Sequence, residues 1–161
     1  KTTGAQQRRV EASKPLSDME KMEESLRLKL EKSVIQPINW DKSFGDALQI
    51  DLSVMDIHVL EVSAPIKNWR GRRLDEPARA SVDLTIRSRG ENARELAAIS
   101  LVVGKYMRSY NMDVDEITIH SEEGDSVFTQ SVSPDLASKF FLDRVEIDAF
   151  INAQLNPSDS D

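Results

Sequence analysis

The chain contains no cysteine, only two histidines and only six glycines among its 161 residues, and aromatic residues make up 6% of it. Without cysteine there is no disulfide framework, no zinc–cysteine site, no iron–sulfur cluster and no thiol nucleophile. The same lack leaves the redox compartment open. The glycines form neither a Walker loop nor a GxGxxG turn, and no Gly-x-Ser-x-Gly elbow occurs. No apolar run approaches the roughly 20 residues of a membrane-spanning helix, and no segment reads as the apolar heart of a signal peptide. No motif calls for a cofactor or a resident metal, and none supports catalysis.

Charge is what the chain has in quantity: 30% of residues are charged and the formal net charge is −7. A negative total argues against coating nucleic acid by bulk charge. The distribution is lopsided. Residues 1–64 carry a net −2, residues 65–108 a net +5, and residues 109–161 a net −10. A basic middle followed by an acidic end either compensates within one fold or marks a partner surface.

At 161 residues the chain suits one domain that buries about two-thirds of its unfolded surface. Residues 1–16 read as a flexible polar lead-in, and 156–161 as a disordered acidic tail. The start at Lys1 rather than methionine leads to the expectation of a piece of a longer chain, anchored upstream. Ser17 and Glu20 form a capping-box pattern that opens a helix over 17–36, with Met19, Met22, Leu26 and Leu30 on one stripe. Lys29 and Ser33 would break a heptad seam, so the helix either packs on the domain or tethers it. Gln36 to Gly45 reads as an irregular connection anchored by Trp40 and Phe44.

Leu48 to Val62 has strand composition, with slips of phase near Met55-Asp56 and Val59-Leu60 that a bulge or a strand buried on both faces would explain. Ala78 to Arg89 alternates cleanly, placing Ala80, Val82, Leu84 and Ile86 on one side. Gly90 ends it, and Asn92 with Glu95 repeats the capping-box logic for a helix running to Tyr110. Ala97, Ser100 and Gly104 on that helix would let it lie close on the sheet. Asn111 suits a left-handed stop. Val114 to Ile119 and Ser126 to Val132 read as a hairpin about the Glu122–Asp125 turn. Ser133-Pro134-Asp135 then starts one closing helix carrying Leu136, Phe140, Phe141, Val145, Phe150 and Ile151. The expectation is a single α+β domain over 17–155. Its order is α-β-β-α-β-β-α, with an antiparallel sheet of about four strands and helices packed on one face.

Three functional readings follow. The first rests on the segment from Ser63 to Pro77, where Lys67, Trp69, Arg70, Arg72 and Arg73 cluster between Pro65 and Pro77. Arg87 and Arg89 on the next strand extend the same patch. Arginine forks suit carboxylates and phosphates, and tryptophan anchors interfaces. This points to a non-catalytic module that binds a protein partner or self-associates, its basic loop and acidic C-terminal region acting as complementary surfaces. The second reading gives the same residues, with Tyr106 or Tyr110, to nucleic acid. The third is a metal-dependent hydrolase built on Asp51, Asp56, Glu61 and Asp83 as neighbouring strand carboxylates. Its weakness is that Arg87, where a general-base lysine is wanted, holds its proton too tightly. His120 shares a strand face with Glu116 and Glu122, but Glu116 stands about 13 Å away along the strand, too far to share a metal.

Overall fold

A computed structural model describes residues 16–32, 44–68, 72, 73 and 75–155. Residues 1–15 of the lead-in, residues 33–43 including Trp40, residues 69–71 and 74, and the C-terminal tail lie outside these residues.

Helix α1 (Asp18–Lys32) opens with the reciprocal capping box. The Ser17 amide donates to Glu20 Oε1 at 3.0 Å, and the Glu20 amide donates to Ser17 Oγ at 3.2 Å. Its stripe packs into the core through buried Leu26 and Leu30. One turn of the same side is ionic. Arg27 Nε donates to Glu23 at 2.8 Å, while its two Nη atoms donate to the carbonyls of Phe141 at 2.9 Å and Phe140 at 2.5 Å.

Helix α2 (Phe44–Val54) overturns the strand expected from Leu48 onward. Phe44, Leu48, Asp51 and Leu52 are its buried residues, a helical spacing that Asp51 obscures because an acid interrupts the apolar stripe. The helix ends in a Schellman motif: the Ile57 amide reaches the Leu52 carbonyl and the Asp56 amide reaches that of Ser53. Asp56 takes the left-handed conformation there, at φ 63°. The slip of phase at Met55-Asp56 is therefore a helix end, whereas the one at Val59-Leu60 is a true bulge in β1 (His58–Ser63).

Strand β2 (Ala78–Arg87) alternates as expected, each apolar residue from Ala78 to Ile86 buried. Helix α3 (Asn92–Ser109) follows, then β3 (Met112–Glu123) and β4 (Ser126–Val132). The four strands lie in the order β1-β2-β3-β4. The outer pairs are antiparallel but β2 and β3 are parallel, so the sheet is mixed rather than antiparallel. The reason is α3: an 18-residue helix laid back over the sheet returns the chain to the end where β2 began.

Asn92 is not the cap of α3. Glu91 holds that position without a side-chain bond, and Glu95 turns instead to Ser88 Oγ at 2.6 Å and the Arg89 amide at 2.9 Å. Asn111 does adopt the left-handed stop, at φ 51°. The closing helix is two: α4 (Pro134–Phe141), capped by Ser133 with Pro134 in its first turn, and α5 (Ile147–Leu155). A second Schellman motif separates them, with Asp143 left-handed at φ 61°. Among the described residues the five helices share one side of the sheet with the buried strand residues.

The small strip on α3 faces a helix rather than the sheet at Gly104. A Cβ there would stand 2.7 Å from the Ala137 carbonyl oxygen and 2.8 Å from Phe141 Cβ. Gly104→Ala therefore gains about 1 kcal/mol of helix propensity but forces the α3–α4 crossing apart, at a cost of about 2 kcal/mol. The expected net is a loss of about 1 kcal/mol, read as a lower denaturant midpoint at unchanged slope. A variant as stable as the wild type would contradict the close approach.

Candidate functional site

Strand geometry sends alternate side chains to opposite faces, so covering one face with helices leaves the other to solvent. That open face carries Glu61 from β1, Arg79, Asp83, Thr85 and Arg87 from β2, Glu116, Thr118, His120 and Glu122 from β3, and Thr129 from β4. Register aligns Thr85, His120 and Thr129 in one row across three strands. His120 links its neighbours. Its Nδ1 lies 2.9 Å from Thr129 Oγ1 and its Nε2 lies 3.3 Å from the Asp83 carboxylate. The acid that serves His120 sits across the ladder, not along the strand at Glu116 where single-strand spacing looks for it.

A hydroxyl, an imidazole and a carboxylate in line have the parts of a nucleophilic relay. The surroundings do not complete one. Thr129 stands mid-strand in β4, where successive amides point to opposite edges, so no pair of them converges on an oxyanion position beside its hydroxyl. The four carboxylates of the hydrolase reading do not converge either. Asp51 is buried on α2 and accepts a 2.6 Å hydrogen bond from the Tyr106 hydroxyl. Asp56 sits in its left-handed turn beside Lys29 and Arg94. The hydrogen bond and charge of Lys29, with Arg94 behind, hold Asp56 below the usual carboxylate range. Only Glu61 and Asp83 share the open face, as diagonal neighbours across β1 and β2. Among the described residues no three metal-ligating side chains come together.

The basic residues divide between two ends of the sheet. Lys67 joins the loop to the start of β2, its amide donating to the Arg79 carbonyl at 2.7 Å. Its ammonium bonds Asp115 at 2.8 Å. That bond, with the Lys67 charge and Arg79 beyond, keeps the Asp115 carboxyl below its ordinary range. Arg72 donates to the Glu76 carbonyl at 2.7 Å, and Arg73 is exposed beside it. Arg87 and Arg89 belong to the far end. Arg87 lies eight positions along β2 from Arg79, about 26 Å of extended chain, and Arg87 stands 3.9 Å from Glu122 there. Lys67, Arg72 and Arg73 thus form one group, and Arg87 with Arg89 another. Trp69 and Arg70 lie outside the described residues.

Asn68, which sequence reasoning passed over, organises the loop. It donates to Glu76 at 2.9 Å and to the Pro77 carbonyl at 3.0 Å, and it accepts from the Arg79 amide at 2.8 Å. An asparagine between a basic residue and a tryptophan carried no pattern to mark it. Buried Ile66 pins the same stretch by a bridge to Ala80.

The basic middle and the acidic last third meet inside one molecule, at Lys67–Asp115 and at Arg87–Glu122. The open face is mixed in sign, acids outnumbering bases. No α-helix among the described residues is long and apolar enough to cross a membrane. Comparison with protein-family models, with curated proteins and with solved structures finds no match to this chain.

Proposed function

We propose that the chain is a non-catalytic module for protein interaction or assembly, docking through the open sheet face and the basic loop of Lys67, Arg72 and Arg73 at its edge. The observation that carries this reading is the parallel pair at the centre of the sheet. Parallel strands are characteristically covered on both faces. Here β2 and β3 are parallel, yet the described helices cover one face only. A surface of mixed sign with an Arg-bearing rim suits another protein, because charge patterning sets specificity and on-rate.

Nucleic acid is the weaker reading. Phosphate tracking wants a continuous basic stripe, whereas Lys67 and Arg87 are each met by an acid and separated by the length of β2. The test has two arms. Capture of partners from an extract of the source cells is compared between the wild type and a Lys67→Glu, Arg72→Glu, Arg73→Glu variant of unchanged circular dichroism. Loss of a bound protein supports the reading, and an identical captured set sinks it. In parallel, labelled DNA and RNA are titrated at low salt, where no binding is expected. Binding that collapses steeply as salt rises would transfer the loop to nucleic acid.

A further inference from the structure

We infer that β4 is a dimerisation edge, on which a second copy of this chain adds its own β4 antiparallel to give one continuous eight-stranded sheet. The inference concerns the edge of the sheet and goes beyond the docking face described above. Among the described residues β4 is paired on its β3 side alone, and its far side presents a row of unused amides and carbonyls.

Natural edge strands are protected by charge, proline, bulges or brevity. Ser126 to Val132 has none of these. It is seven residues without a charged residue or proline, and its pairing with β3 runs from Ile117↔Val132 to Glu123↔Ser126 without a shift. Val127 and Phe128 upon it are 61% and 58% exposed. The opposite edge, β1, is defended: a bulge interrupts it between Val59 and Glu61, and Glu61 projects from it. A β4-to-β1 contact would propagate without closing, whereas β4 on β4 closes as a two-fold pair. The contrast between the two edges selects the closed pair.

Thr129 is the midpoint of the strand, so a two-fold axis through it pairs all seven residues with no overhang. Thr129 then faces its own copy, a favourable cross-strand pair, and Phe128 becomes the diagonal neighbour of its copy, within reach of an aromatic ring. Repulsion between chains of net charge −7 is the obvious objection. The charge-free strands answer it. The acidic β3 strands of the two copies stand three strand spacings apart, about 14 Å, which exceeds the screening length of about 8 Å at physiological salt.

The absence of cysteine makes the test direct. Sedimentation of the full chain across the micromolar range should show the mass rising from one chain to two. Thr129→Cys should form an intermolecular disulfide under mild oxidation, because directly opposed residues fall within bonding reach. Val127→Cys should not, because position 127 would lie about 13 Å from its copy in this register. Phe128→Lys, at an exposed position that does not endanger the fold, should weaken the dimer at least about tenfold. A wild type that stays single at every concentration overturns the inference. So does a dimer that resists Phe128→Lys and fails to crosslink through Thr129→Cys faster than through Val127→Cys.

Discussion

Replacing Arg27 with alanine is expected to lower stability by about 3 kcal/mol, more than a surface ion pair could explain. Three losses coincide. Glu23, 5% exposed, is left as a buried carboxylate without its guanidinium. At the C-terminal end of α4 the Phe141 carbonyl loses the donor that the helix itself cannot supply, and the Phe140 carbonyl keeps only the Asp143 amide. The cation also leaves the negative end of that helix dipole and the face of the Phe140 ring, 5.3 Å away. Arg27→Lys should recover only part of the loss, since a point charge cannot serve two carbonyls and a carboxylate at once. Glu23→Gln with Arg27→Ala should lose less than Arg27→Ala alone, because the stranded charge is gone. Denaturant melts of the four proteins check this, and a loss below about 1 kcal/mol for Arg27→Ala would show that α1 only leans on the domain.

That cluster also shows where sequence reading stops. The capping box of Ser17 and Glu20, the alternation of β2, the left-handed Asn111 and the Ser133-Pro134 helix start are local patterns, and each is present in the fold. Two helix ends escaped because glycine is the usual left-handed terminator and this chain uses Asp56 and Asp143. Without those stops α2 merged into a strand and α4 ran on into α5. The parallel pairing of β2 with β3 escaped for another reason: it depends on where α3 sends the chain, not on either strand's pattern.

The candidate surface divides along the same line. Lys67, Arg72 and Arg73 were legible because they are consecutive features of one loop. Arg87 and Arg89 look adjacent to them when strands are imagined short, but the length of β2 carries them to the other end. Asp83, His120 and Thr129 could be joined only with the register of three strands in hand. Interaction surfaces on sheets are assembled across strands, so their composition is written in the sequence and their neighbours are not.

The second large effect is expected at Tyr106, where Tyr106→Phe should lower stability by about 2 kcal/mol at neutral pH. The ring is 2% exposed and packs edge-on against Phe44 and stacked on Tyr110, so phenylalanine keeps the shape. What disappears is the hydroxyl 2.6 Å from Asp51, and Asp51 is itself 2% exposed. A buried acceptor that loses its donor costs more than the bond contributed. The pH profile separates this from mere loosening. Burial first, then the bond to Asp51 and its charge, push the Tyr106 phenol far above its usual range. The folded protein therefore keeps a proton that the unfolded chain gives up above a pH of about 10. The contribution is complete below that pH and declines as pH rises, by up to about 1.4 kcal/mol per pH unit. Tyr106→Phe removes the decline together with the hydroxyl. Its stability should start lower at pH 7 and fall less steeply above pH 10, so the two curves converge. Tyr110, raised by burial, and Lys105, lowered by it, titrate in both proteins, which leaves the difference to Tyr106. Parallel curves from neutral to alkaline pH would mean that Tyr106 gives up its proton as readily folded as unfolded, and that its bond to Asp51 does not hold in solution.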